Sequence, residues 1–428
     1  MATLGVIQTT VSATVSTNNT TFTEVVESSA LTSGKTYYVI CHALTEGGLT
    51  SKPDSFRLVN RTVLGGTLSN STMIREPNTA GATQSYYYLG QFTAGESGGG
   101  LAFEQKSSNA GFTVSTQYLS MLILDLSNLT SDDFFFENDI DDVALTSTFQ
   151  DFATTTVTTN KEDDWLVLGW QATDTDVVNG YSTVVQLYSD ADSDYPESQM
   201  EGEDLTEVLN VLQGRSYSAN DAQTTWSIKS KMHTGGATDS NNHLESTLLG
   251  FRLSVFEAFE KEFTSAESTT TATDFQQYAR ISFDPDSSED VIVFGSSLFH
   301  AGATSRPALS VIQLDGTTSP NTQPDTEYGC VSNDGADILP LSYITKYTPD
   351  GSSIQIDLDC KKTTAEDIGF SKRALVAFTT KIASPINYSA VATQTFASGD
   401  VASQSYNSGD VASETFSSGD VASEVNPS

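Results

Sequence analysis

One short apolar run occurs three times in this chain, and a repeat of that kind limits the fold to a tandem array. Asp164-Trp165-Leu166-Val167-Leu168-Gly169-Trp170 is matched by Asp290-Val291-Ile292-Val293-Phe294-Gly295. Lys35-Thr36-Tyr37-Tyr38-Val39-Ile40-Cys41 is a degenerate copy. Runs so rich in Val, Ile and aromatics predict buried strands. Val39, Val167 and Val293 are spaced by 128 and 126 residues.

A second run follows each copy: Ser55 to Leu58, Thr183 to Leu187, and Ser310 to Leu314. In these, Phe56/Leu58, Val185/Leu187 and Ile312/Leu314 share one face. Arg57, Gln186 and Gln313 point the other way, predicting apolar-in, polar-out alternation. A marker upstream agrees: Phe149-Gln150-Asp151-Phe152-Ala153 resembles Phe275-Gln276-Gln277-Tyr278-Ala279. The expected organisation is all-β: three tandem antiparallel β-sandwiches of jelly-roll or immunoglobulin type. The boundaries read as an extended N-terminal arm over 1–21, sandwiches over 22–148, 149–274 and 275–385, and a repetitive tail over 386–428. Units of this size can each hold a core without metal or disulfide support.

One helix is expected. Asp204 can cap it, Leu205, Val208, Leu209 and Leu212 form a stripe, and Gly214 stops it. Pro349-Asp350-Gly351 predicts a hairpin between Ile344 and Ile354. The tail repeats a decapeptide, V-A-S-x-x-[F/Y]-x-S-G-D, starting at Val391, Val401 and Val411, with Thr393 for Ser in the first copy. Too polar to fold alone, it is expected to pair with other subunits through anchors such as Val401, Tyr406, Val411 and Phe416.

Net charge is −35, from 55 acidic and 20 basic residues. Nucleic acid needs a basic footprint, so it is not an expected partner, nor is an anionic membrane. The four histidines lie beside no nucleophile motif, so a non-enzymatic role is expected. Three cysteines without C-x-x-C imply neither zinc nor a disulfide framework. A Cys330–Cys360 pair is conceivable, buried thiols more so. The N-terminus lacks a basic and apolar leader, so synthesis in a cytoplasm with no signal peptide is expected.

Two surface features bear on binding. Asp190, Asp192, Asp194 and Glu201 occupy positions 1, 3, 5 and 12 of a calcium-loop spacing, making Ca2+ the one candidate cofactor. Tyr195 stands where that pattern wants Gly, so the competing reading is a solvated acidic loop. Tyr86-Tyr87-Tyr88, or Trp165 with Trp170, could stack on a sugar, although strand aromatics are more often core.

The organisation as a whole resembles virion structural proteins of tailed bacteriophages, of the head-decoration or fibre type. That resemblance covers the tandem sandwiches, the acidic Ser/Thr-rich composition and the short glycine-punctuated repeats. It implies a virion component whose partners are further copies of itself (a trimer favoured) and other virion proteins. A host-surface glycan is a further conceivable partner. The alternative is a surface adhesin or carbohydrate-binding protein.

Overall fold

The structure, a computed structural model, describes residues 2–383 apart from segments 48–52, 64–65, 76–82, 96–97, 159–162, 176–181, 192–195, 202–206, 219–222, 234–240, 271–273, 275, 286–288, 302–306, 315–327, 332–337, 350–352 and 363–367; in the tail it describes 394–395, 401–405, 414–415 and 421–425. Residues 1–382 form one compact unit and 383–428 a second.

The first roll comprises β1 (Gly5–Val11), β2 (Val15–Thr17), β3 (Thr23–Glu27), β4 (Thr36–Glu46), β5 (Asp54–Asn60), β6 (Gly66–Thr67), β7 (Met73–Arg75), β8 (Thr83–Thr93), β9 (Leu101–Lys106) and β10 (Val114–Asp125). One sheet runs β1-β10-β4-β8; the facing strands run β3-β9-β5-β7. The second roll comprises β11 (Phe134–Asp139), β12 (Val143–Ala144), β13 (Gln150–Thr158), β14 (Asp164–Thr175), β15 (Ser182–Ser189), β16 (Glu197–Glu201), β17 (Glu207–Ser218), β18 (Gln223–Met232) and β19 (Asn241–Arg252). Its sheets run β11-β19-β14-β17 and β13-β18-β15-β16. The third comprises β20 (Phe259–Thr264), β21 (Ser268–Thr270), β22 (Gln276–Phe283), β23 (Val291–Ala301), β24 (Pro307–Leu314), β25 (Tyr328–Val331), β26 (Ile338–Tyr347), β27 (Ile354–Lys362) and β28 (Ile368–Thr379). Its sheets run β20-β28-β23-β26 and β22-β27-β24-β25.

The same order appears three times: first strand, last strand, repeat strand, then the strand entering from the far end. Two four-stranded antiparallel sheets wound in this order are a jelly roll. Val39, Val167 and Val293 all lie in the repeat strand, paired on both sides, and each is fully buried.

This pairing corrects several sequence expectations. The supposed arm supplies β1, which pairs β10 from Gly5↔Asp125 to Val11↔Leu119. Likewise β11 pairs β19 and β20 pairs β28, so stretches that the ranges 22–148 and 149–274 assign to the end of one unit open the next. The expected helix is absent. Residues 202–206 lie outside the described residues, and from Glu207 the chain is strand β17, aligned along β14 from Glu207↔Thr175 to Ser218↔Asp164. Its apolar stripe misled because the strand is covered on both faces. Leu209 and Val211 enter the core shared by rolls two and three, while Leu212 enters the core around roll one. The hairpin at Pro349 is not one either. Residues 350–352 lie outside the described residues, and the flanking β26 and β27 belong to different sheets.

The second-strand alternation holds where it is described, since Phe56, Leu58, Val185 and Leu187 are buried. Gln186, however, is only 4% exposed and donates to the Glu197 carboxylate. It faces away from the core but is covered. Gln313 lies in β24, of which only the backbone is described. Outer faces elsewhere carry cross-strand ion pairs such as Arg57–Glu104 at 2.7 Å and Lys229–Asp151 at 3.3 Å. Cys41 and Cys360 are buried; of Cys330 only its place in β25 is described, so the Cys330–Cys360 pairing falls outside the described side chains.

The tail unit contains β29 (Gln394–Thr395), β30 (Val401–Ser405), β31 (Glu414–Thr415) and β32 (Val421–Val425). β29 pairs β31 and β30 pairs β32, both parallel, with Val401 opposite Val421. The decapeptide copies thus pair within the chain, two repeats apart. A parallel pair needs a return path of about a dozen residues or more. One decapeptide is too short for that and two are enough. Tyr406, Val411 and Phe416 lie outside the described residues.

Candidate assembly interface

The sequence leads one to expect three sandwiches in a row. The structure instead closes them on each other. β7 of the first roll bridges β17 of the second at Ile74↔Val208. β16 of the second bridges β26 of the third at Gln199↔Ile338. β25 of the third runs beside β8 of the first. Each contact joins the equivalent strand of one roll to the equivalent strand of the next, so the three rolls form a cyclic, pseudo-threefold block.

β8, β17 and β26 meet inside that block. The Tyr87 backbone N–H donates to Asn210 Oδ1 at 2.8 Å, and its carbonyl accepts from Trp170 Nε1 at 3.0 Å. Its hydroxyl donates to the Pro340 carbonyl at 2.9 Å and accepts from the Ser342 N–H at 3.2 Å. Ser342 Oγ then donates to the Leu212 carbonyl at 2.7 Å. One tyrosine and one serine therefore tie all three rolls together. Tyr87 and Ser342 are at most 2% exposed, so no water competes for these bonds and losing one would strand buried polar atoms.

Packing follows the same cycle. Leu166, Leu168 and Trp170 of β14 and Ile292 and Phe294 of β23 join the core around roll one, whereas the intervening Val167 and Val293 fill the rolls' own interiors. The repeated motif reads as a continuous apolar run because its strand is buried on both faces. Gly214 of β17 has a packing reason: a Cβ there would lie 2.1 Å from Cζ of Phe294. The ring of roll three rests on the backbone of roll two.

Burial shifts the titration of polar groups sealed at these seams. His42 is 1% exposed; its Nδ1 accepts from the Ile344 N–H at 3.3 Å, and its ring stacks on Tyr118 at 5.6 Å. Burial pushes its pKa down to about 3, so it is neutral. Asn70, in the left-handed region at φ 41, donates to Glu245 Oε2 at 3.1 Å across the seam between rolls one and two. Burial raises the Glu245 carboxyl above its ordinary range.

The aromatics considered as a sugar platform are mostly core. Tyr86, Tyr87, Tyr88 and Trp170 are at most 2% exposed. Of the four calcium-loop residues, only Asp190 has its side chain among the described residues. Asp190 turns its carboxylate to the Thr225 N–H at 2.8 Å. Asp192 and Asp194 lie outside the described residues, and of Glu201 only its place in β16, opposite Ser182, is described. Among the described residues no group of three or more His, Cys, Asp or Glu side chains is placed to hold a metal ion, and no helix is long and apolar enough to cross a membrane. Sequence reasoning missed Tyr87, Ser342 and His42 as junction residues, because nothing in a single repeat encodes contact with another.

No protein-family model matches the sequence, and no curated protein matches it. Solved structures are similar at low identity. The glycosylasparaginase PNGase F from Flavobacterium meningosepticum is 9% identical over 59% of this chain and 98% of that chain, with a TM-score of 0.30. A structure described as the triple jelly-roll fold and turret assembly of an archaeal virus is 9% identical over 86% of this chain and 83% of that one, with a TM-score of 0.19. The T13 particle of infectious bursal disease virus is 9% identical over 90% and 83%, with a TM-score of 0.23. The structural neighbours thus include viral jelly-roll proteins.

Proposed function

We propose that the chain is a non-catalytic structural protein of a virus particle, of the decoration or fibre type, that assembles through its tail. The carrying observation is the cyclic block. Three rolls spend their sheet faces and connecting strands on one another, which makes a rigid unit from one chain and leaves the tail as a separate element. Such a block behaves as a building piece rather than as a flexible string of modules. The charge of −35 keeps the blocks from associating indiscriminately.

The tail supplies selective association. Its two-stranded parallel pairs have no further strand on either side among the described residues. Open edges accept another strand, and the best-matched strand is the same decapeptide from a second copy. Deleting 383–428 is expected to leave the melting transition of the block unchanged while converting the protein from an oligomer to a monomer. Gel filtration with light scattering on both forms checks this. A full-length chain that stays monomeric at high concentration, or a truncated one that still assembles, would remove the tail from this role.

A further inference from the structure

The second roll carries a surface cleft that the assembly role does not use. It opens between β11 and β13, the edge strands of that roll's two sheets, and has a volume of about 460 Å³. That is within the range of small-ligand sites. Trp165 of β14, 3% exposed, forms its floor, with the Phe135 ring tilted against it at 5.7 Å. Thr155 and Thr156 line one wall, and Asp132 and Arg252 stand at the other.

Behind this lining two N–H donors, Trp165 Nε1 and Arg252 Nε, are sealed from solvent and have no acceptor among the described residues. A buried donor left so is costly unless something else accepts from it. At the matching position the other rolls place no unpartnered N–H. In roll one it is Tyr37, whose hydroxyl accepts from the Thr32 N–H at 3.1 Å. In roll three it is Val291, which has no polar side-chain atom.

The lining selects a ligand class. An anion is disfavoured, because the Arg252 guanidinium is already paired with Asp133 and the exposed Asp132 adds a negative charge to the lining. A purely apolar ligand would desolvate the threonine hydroxyls and Asp132 without return. A neutral polyhydroxylated ligand suits this lining: its C–H face lies on the aromatic side, and its hydroxyls exchange hydrogen bonds with the Thr and Asp side chains. We propose that this cleft binds a neutral saccharide, which would give the block a recognition site for glycan in addition to its structural role.

The full-length chain should be tested by saturation-transfer NMR against maltose, lactose, cellobiose and diacetylchitobiose, with sialic acid and hexanoate as charged and apolar comparators. At least one neutral disaccharide is expected to bind with a Kd in the millimolar range or tighter. Asp132→Ala, and Thr156→Tyr across the mouth, both at exposed positions, should each weaken that binding about tenfold or more with the melting transition unchanged. Should one variant fail to fold, the other decides. The proposal is overturned if no neutral sugar shows transfer at about 10 mM, if the folded variants bind as the parent does, or if sialic acid or hexanoate binds in preference.

Discussion

Trp170→Ala is expected to destabilise the block by about 3–5 kcal/mol, the range for removing a fully buried aromatic ring. It should also shift a single unfolding transition for all three rolls. Trp170 belongs to roll two, yet its contacts are with roll one. The ring is fully buried, meets Tyr88 edge-on at 5.0 Å and donates Nε1–H to the Tyr87 carbonyl. Truncation leaves a cavity at the seam and strands a buried acceptor. Trp226 is the internal comparison, since it lies in the roll's own core against Tyr217 at 5.3 Å. Calorimetry of Trp170→Ala and Trp226→Ala should show the same single peak displaced in both. If the parent unfolds in several peaks and Trp226→Ala moves one alone, the rolls are independent and the shared core is not.

Acid should weaken the seam between rolls one and three through His42. Its pKa is lowered to about 3 in the folded chain by burial, against an ordinary value of 6.5. Between these values the unfolded state binds the extra proton. The stability from this group is therefore complete above about pH 6.5 and is lost as pH falls toward 3, at roughly 1.4 kcal/mol per pH unit. His243 and His300 are lowered by burial too and act in the same sense. Asp359, raised to about 6, and Glu245, also raised, act in the opposite sense. A difference measurement separates His42 from the rest. His42→Gln should be less stable than the parent at pH 8, by about 1–2 kcal/mol for an impaired buried hydrogen bond. It should then lose stability less steeply from pH 6 to pH 4, so that the two curves converge. Parallel denaturant-midpoint curves over that interval would mean that His42 is not held neutral at a closed seam.

What could be read from the sequence follows from burial. The repeat strands were legible because both of their faces are covered: Trp165 to Trp170 places alternate residues in two different cores, and the run stays apolar throughout. The opening strands were not. Gly5–Val11, Phe134–Asp139 and Phe259–Thr264 are edge strands with half-exposed, mixed sequences, so they were attached to the neighbouring unit or to an arm. The same burial that revealed β14 disguised β17, whose two covered faces imitate a helical stripe. The cleft escaped notice for a related reason. From the sequence Trp165 reads as a candidate binding aromatic, but its ring partner Phe135 falls within the preceding unit's range, 22–148. Closure of the three rolls has no signature in a single repeat, since the network at Tyr87, Asn210 and Ser342 joins residues more than 120 positions apart.

Whether the rolls close on one another is tested most directly by small-angle scattering from residues 1–382 in dilute solution. A closed block of that length should have a radius of gyration of about 21 Å, as for a compact domain. Three separate sandwiches strung in a row, each of about 14 Å, would give about 30 Å or more. A value near the first supports a single building piece; a value near the second would contradict the cyclic arrangement from which the structural role is argued.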